Sequence, residues 1–319
     1  MRILFELSGE HPTLPRAELA CVGRVIDDRT QVAVADVAAP VTISRLALTH
    51  RASRYLGECN ADTRSLTALV RDLGIAPSGT FAVRVNQIHG PPNDLPRRGE
   101  LERMLGDRIS GTVDLRNPDT EFRVVISEDR CYIGTLLVTI DRGAFNYRTP
   151  LRRAFFHPGV MLPRTARALV NLSRVRPGEL LLDPFSGTGG ILIEADLVGA
   201  RVTGGDADPF MVAGSHANVP AGEFFLADAT MLPVQDRSID AVVTDLPYGQ
   251  SSPITARSVE RLYAGSLAEI HRVLGPDRRG VVVTHRDIRA IAEQTFTIAE
   301  YHPQRVHKSL TRHILVITP

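Results

Sequence analysis

The sequence predicts a mixed α/β chain: a doubly wound, mostly parallel sheet ending in an antiparallel hairpin, preceded by a smaller α+β region. Three observations predict it. From residue 164 onward, short apolar segments alternate with helical apolar spacing, the pattern of a parallel sheet covered by helices. That alternation breaks at the C-terminus, where two strand-like segments follow each other directly. The first 140 residues instead mix strands and helices without such regularity. At ~150 residues per domain, 319 residues allow two domains or three. Hydrophobic residues make up 43% and charged residues 23%, the mix of an ordinary soluble globular chain. No apolar run approaches the ~18 residues of a membrane span. Met1-Arg2-Ile3-Leu4-Phe5-Glu6 turns polar too soon for a signal peptide. Cys21, Cys59 and Cys131 are odd in number and far apart, which disfavours a disulfide scaffold or a cysteine zinc site. A reduced, cytoplasmic compartment and no metal are the expectations.

Apolar spacing and alternation predict a strand at 2–7, a helix at 14–25, a strand at 31–37, a short helix at 41–48 and a strand at 50–58. Thr13, ahead of Leu14 and Pro15, suits an N-cap with proline in the first turn. Residues 1–59 thus read as a small α+β unit. A second unit, 60–141, reads as a helix at 63–73, strands at 80–87, 121–126 and 131–140, and a helix at 99–109. Ser127-Glu128-Asp129-Arg130 is its hairpin turn and Gly90-Pro91-Pro92-Asn93-Asp94 a loop. Residues 142–163 lack a clear period and read as a linker. In 164–319, strands fall at 179–182, 201–205, 223–226, 239–244 and 280–284, then at 296–302 and 309–318. A dinucleotide-binding sheet is mostly parallel, so the terminal hairpin points elsewhere.

Net charge is +1, but its make-up is uneven: of 37 basic residues, only Lys308 is a lysine. Between 142 and 178 there are eight arginines and no acid. Such a run is either a solvated face or a strip that meets phosphates, for which the planar arginine fork is suited.

Asp183-Pro184-Phe185-Ser186-Gly187-Thr188-Gly189-Gly190 joins a strand to a helix. Its glycines let backbone approach a ligand closely. The spacing is neither the dinucleotide fingerprint nor a P-loop. Asp183, Asp206, Asp228 and Asp245 each end a successive strand, at intervals of 23, 22 and 17 residues. Ligands bind at that edge of an open α/β sheet. Four carboxylates repel phosphate and suit a ligand rich in donors and positive charge, such as S-adenosylmethionine. Asp183 is then expected near the methionine ammonium, Asp206 on the ribose hydroxyls and Asp228 on the adenine amine. Phe185, Gly187, Thr188 and Gly189 of the turn, with Ala207 and Ala229 beside their acids, complete that cofactor set.

Thr244-Asp245-Leu246-Pro247-Tyr248-Gly249 leaves a buried strand at the same edge. The lone pair of an exocyclic base amine is delocalised into the ring. Two acceptors, the Asp245 carboxylate and the Leu246 carbonyl, can hold both N–H groups and turn that lone pair toward a methyl donor. Pro247 fixes φ, and Tyr248 offers a face on which an extruded base can stack.

Residues 183–190 with Asp245-Leu246-Pro247-Tyr248 resemble the class I (Rossmann-like) methyltransferases that modify base amines. Most of those carry proline where Leu246 stands. Phe155-Phe156-His157-Pro158-Gly159, Pro163, Arg167-Ala168-Leu169-Val170-Asn171-Leu172 and Val306-His307-Lys308-Ser309-Leu310-Thr311-Arg312 resemble the THUMP-domain tRNA guanine N2-methyltransferases. So do Glu6-Leu7-Ser8-Gly9-Glu10-His11-Pro12, Val113-Asp114-Leu115-Arg116-Asn117-Pro118-Asp119 and Cys131-Tyr132-Ile133-Gly134. In archaea that family acts on guanosine 10. The resemblance implies a ferredoxin-like unit at 1–59, a THUMP RNA-binding domain at 60–141 and a methyltransferase domain at 164–319. It implies Asp245 as the catalytic residue and tRNA as the substrate, bound by Leu246, Pro247 and Tyr248 and by phosphate contacts from Arg148, Arg152 and Arg153. Phe156, His157 and Pro158 would border the cofactor. A monomer is expected, and some relatives work with a small zinc-binding activator subunit. Asp-Leu-Pro-Tyr does not itself tell guanine from adenine. A ribosomal RNA or DNA amine, or an inactive RNA-binding protein, are the alternatives.

Overall fold

The computed structural model describes residues 1–88, 95–158, 160–248, 256–308 and 310–319, with residues 256–258 described by backbone alone. It divides into two compact units, Met1–Asp141 and Arg142–Pro319.

In the first unit, strands β1 (Arg2–Leu7), β2 (Gly23–Arg29), β3 (Val32–Val37), β4 (Thr49–Asn60), β5 (Thr80–Ile88), β6 (Thr112–Val113), β7 (Thr120–Ser127) and β8 (Arg130–Thr139) make one sheet. Its order is β2-β3-β1-β4-β8-β7-β5-β6. Helices α1 (Leu14–Leu19), α2 (Thr63–Asp72) and α3 (Arg98–Gly106) accompany it. The 12-residue β4 pairs with β1 on one side and β8 on the other. The two stretches read as separate units therefore share a sheet, and residue 60 ends that shared strand. Buried Glu6 accepts from Arg123 Nε and Nη2 at 2.8 and 2.9 Å and from Asn86 at 2.7 Å. A buried charge is tolerated only when satisfied in this way.

Several local expectations are corrected. The helix expected at 14–25 stops at Leu19, because Gly23 onward pairs with β3. Val22 and Val25 fit either period, and the strand partner decides between them. Thr13 makes no side-chain cap bond; instead His11 Nδ1 accepts from the Thr13 and Leu14 N–H groups at 3.1 and 3.0 Å. The helix expected at 41–48 is a 3-10 helix, Pro40–Arg45. The loop at 90–94 lies outside the described residues, as do Gly159, Gly249 and Ser309.

The second unit holds β9 (Leu180–Asp183), β10 (Arg201–Asp206), β11 (Glu223–Leu226), β12 (Ile239–Asp245), β13 (Leu274–Thr284), β14 (Thr297–His307) and β15 (Leu310–Thr318). Their order is β11-β10-β9-β12-β13-β15-β14. The first five pair parallel with one another, whereas β15 is antiparallel to β13 and β14. Helices α4 (Pro163–Leu172), α5 (Gly190–Asp196), α6 (Pro209–Asn218), α7 (Ala256–Val273) and α8 (Arg289–Ala292) connect or flank them. On one face Tyr263, Leu267 and Ile270 of α7 join the core with Leu182, Val242 and Val282 of the sheet. Chain direction away from the centre reverses between β9 and β12. That is the switch point where open α/β sheets leave a crevice.

Candidate active site

At the switch point, β12 pairs with β9 through Ala241↔Leu181 and Val242↔Leu182. Asp183 ends one strand and Asp245 ends its neighbour two residues farther along in that register. The intervening turn needs glycine at two places: Gly187 has φ 51° and Gly189 φ 72°, left-handed values that cost other residues energy. The turn is braced from β10 and α6. Gly187 N donates to Asp206 Oδ2 at 2.9 Å, Ser215 Oγ donates to the Gly187 carbonyl at 2.8 Å, and Asn218 donates to the Thr188 carbonyl at 2.9 Å.

Asp183 is buried. Its Oδ1 accepts from Thr244 Oγ1 at 2.7 Å and from the Phe185 N–H at 3.1 Å. Burial still lifts its pKa to about 7, and the charges of Asp245 and Asp206 add to the lift. Burial likewise lifts Asp245 to about 6, against the pull of Arg312 and the Tyr248 hydroxyl. Asp245 Oδ1 and Tyr248 Oη are both buried and meet no partner at full hydrogen-bonding geometry among the described residues, although the Tyr248 hydroxyl lies near enough to favour the Asp245 charge. Buried polar atoms are rarely left so, and an unmet ligand is one physical reason for it. Asp183 and Asp245 line one cavity of about 160 Å³ together with Phe185, Gly187 and Thr188. Val160, Met161 and Ile191 supply apolar wall.

The Leu246 side chain is buried in the core, and its N–H donates to the Val283 carbonyl at 2.8 Å. Proline could not make that N–H bond, and with the side chain inward only the Leu246 carbonyl is a candidate for contact with substrate. Tyr263 Oη donates to the Pro247 carbonyl at 2.8 Å and fixes the segment. The Tyr248 ring packs on His285, with centroids 4.8 Å apart. Burial lowers the His285 pKa, so that ring is neutral near pH 7.

The other candidates lie outside the cavity lining. Asp206 spends one oxygen on Gly187 N and the other on Asp208 N at 3.0 Å. Asp228 is exposed; its Oδ1 accepts from Thr230 N and Oγ1, both at 2.8 Å. Ala207 is exposed and Ala229 buried. His157 is exposed, with Nδ1 3.0 Å from the Pro158 carbonyl. Arg148 is a correction. Its guanidinium grips fully buried Glu194 at 2.8 and 3.3 Å, and Arg167 joins the same carboxylate at 2.7 Å. A charge committed to a buried partner is not free for phosphate. Arg152 is exposed, its guanidinium 5.6 Å from the Tyr147 ring centre. Arg153 folds back on the glycine turn, with Nη1 3.4 Å from Thr188 Oγ1. Sequence reasoning missed Thr244, Ser215, Asn218, His285 and Arg312. Thr244 directly precedes Asp245, and Arg312 is an arginine in an apolar terminal strand; those signals were present, but not their partners.

The family profile described as the RMKL-like methyltransferase domain, UPF0020, matches residues 150–314, and that of the THUMP domain matches 63–136. A tRNA (guanine(10)-N2)-dimethyltransferase of Methanothermobacter thermautotrophicus is 37% identical over 99% of both chains. Its namesake from Methanocaldococcus jannaschii is 30% identical over 98% of both. Among solved structures, TrmN from Thermus thermophilus superposes with a TM-score of 0.56 at 21% identity, covering 100% of this chain and 99% of its own. That likeness is one of fold.

Proposed function

Since the chain belongs to the tRNA (guanine(10)-N2)-dimethyltransferase family, we propose that it transfers methyl groups from S-adenosylmethionine to the exocyclic N2 of guanosine 10 in tRNA. The observation that carries this reading is the buried Asp245 Oδ1, which makes no well-formed hydrogen bond and lies beside Asp183 in one cavity at the sheet switch point.

The residues present suit the cofactor. Asp183 offers a buried carboxylate to an ammonium, Asp206 sits at the end of β10 for the ribose hydroxyls, and Asp228 keeps Oδ2 for the adenine amine. When bound, the cofactor supplies an electrophilic methyl carbon on a sulfonium. Asp245 Oδ1 and the Leu246 carbonyl accept the two N–H groups of the guanine amine. They aim its lone pair and offset the positive charge that develops on nitrogen. Tyr248 stacks on the extruded base. The proton released from the alkylated amine passes to Asp245 Oδ1, whose pKa near 6 lets it hold that proton briefly and return it to water. After one transfer the amine keeps a single N–H, so the second methyl is added with one acceptor contact fewer.

Residues 60–141 serve as the RNA-binding THUMP part, and Arg152 remains the exposed phosphate contact of the linker. The protein works in the cytoplasm as a monomer, with a small zinc-binding activator subunit as its optional partner. No helix among the described residues is long and apolar enough to cross a membrane.

The test is nucleoside mass spectrometry of a tRNA transcript incubated with protein and S-adenosylmethionine. N2-methylguanosine and N2,N2-dimethylguanosine mapped to position 10 are expected. A methyl on another base, or none, overturns the reading.

A further inference from the structure

Three arginines converge on α5, and only two of them form a salt bridge to its Glu194. Arg148 and Arg167 share Glu194. The third, Arg153, forms no salt bridge among the described residues. Its Nε donates to the Arg148 carbonyl at 3.3 Å and its Nη1 to Thr188 Oγ1 at 3.4 Å, both long bonds, while Nη2 is buried without a partner. Burial lowers its pKa against the more distant pull of Glu194, so the charged form is held at a cost. The guanidinium lies directly on the turn: a Cβ added to Gly190 would stand 2.8 Å from Nη1. Thr188 and Gly190 also line the cavity that holds Asp183 and Asp245. A cation with unspent donors therefore abuts a cavity whose own charged side chains are carboxylates.

We propose that Arg153 is the cofactor's carboxylate anchor: its guanidinium, on the turn at Thr188 and Gly190, pairs with the amino-acid carboxylate of S-adenosylmethionine. This rests on the methyltransferase reading above. The amino-acid end of that cofactor carries an ammonium and a carboxylate. Asp183 suits the first and repels the second, so the site needs one positive group on the turn's other side. Arginine is matched to this task because its fork meets a carboxylate bidentately. The bond lengths to Thr188 and to the Arg148 carbonyl leave room for the fork to exchange weak partners for a strong one. The geometry assigns Arg153 to the cofactor in place of the tRNA phosphate that its neighbours in sequence suggested. Arg152, exposed and one residue earlier, keeps the phosphate role.

The experiment is calorimetric binding of S-adenosylmethionine and of its decarboxylated analogue to the full chain, for wild type, Arg153→Lys and Arg153→Gln, with tRNA affinity measured beside it. A charge-assisted pair gives wild type a preference of about 10- to 100-fold for the carboxylated cofactor. Arg153→Gln removes most of that preference, leaves the decarboxylated analogue within about threefold of wild type, and leaves tRNA affinity unchanged. Arg153→Lys retains part of the preference. Equal weakening of both cofactors would mean that Arg153 only braces the turn. Weakened tRNA binding with unaltered cofactor binding would return it to a phosphate. Either result overturns the proposal. Should Arg153→Gln not fold, the wild-type preference decides alone, and its absence overturns the proposal too. If wild type binds neither cofactor, it is the methyltransferase reading that fails.

Discussion

Replacing Asp245 by asparagine should slow methyl transfer by orders of magnitude and yet strengthen the fold, and the two effects have one cause. Burial moves the Asp245 pKa from 3.8 to about 6. At 1.36 kcal/mol per unit, holding the ionised form at pH 8 costs the native state about 3 kcal/mol. The sign follows from proton counting. The native state holds the proton more tightly than the unfolded chain, so stability falls as pH rises from about 4 through about 6. Below about 4 both states are protonated and the penalty is gone. The amide of an asparagine cannot ionise. Asp245→Asn should therefore gain up to about 3 kcal/mol over wild type at pH 8 and nothing at pH 4. Urea unfolding at the two pH values reads this difference. In the reaction the same substitution turns one acceptor into a donor and removes the charge that offsets the developing cation. Losing one such preorganised group costs about 100- to 1,000-fold in turnover. A variant with near wild-type turnover would refute the reasoning, as would one whose stability gain is the same at both pH values.

Other consequences follow from the same geometry. In the wild type, kcat/KM should fall as pH drops through about 6, because the acceptor must be ionised in the free enzyme; a flat profile from pH 5 to 8 speaks against that. Thr244→Val removes the 2.7 Å bond that favours ionised Asp183, so cofactor affinity should drop about tenfold at pH 7 and recover by pH 9, as calorimetry at the two pH values would show. Arg148→Ala leaves buried Glu194 with Arg167 alone and should cost about 2–3 kcal/mol in urea unfolding, without changing the salt dependence of tRNA binding. Arg152→Ala should leave stability alone and lower that salt slope by about one, read from affinities over a range of salt concentrations.

The second unit was legible because each of its signals is local. An apolar run followed by aspartate marks a strand end: Asp183, Asp206 and Asp245 end β9, β10 and β12, and Asp228 follows two residues after β11. The first unit was less so. Val22 and Val25 satisfy both periods, and only the β3 partner makes Gly23 onward a strand. The continuity of its sheet depends on β4 having two partners, which no run of residues announces. At the site, the turn and the Asp245 segment could be read because backbone conformation and residue order carry them. The fates of the arginines could not. Arg148, Arg152 and Arg153 look alike in sequence, yet one meets Glu194, one meets solvent over Tyr147, and one lies on Gly190. For Arg148 and Arg153 the outcome comes from packing against α5, more than thirty residues away. Arg312 and Thr244 escaped for the same reason: their significance lies in a neighbour on another strand.

The most direct measurement is the structure of the protein with tRNA and a non-transferring cofactor analogue. The guanine N2 is expected within about 3 Å of Asp245 Oδ1, with the base against Tyr248. A base amine bound elsewhere, with Asp245 Oδ1 turned into a new ion pair, would contradict it.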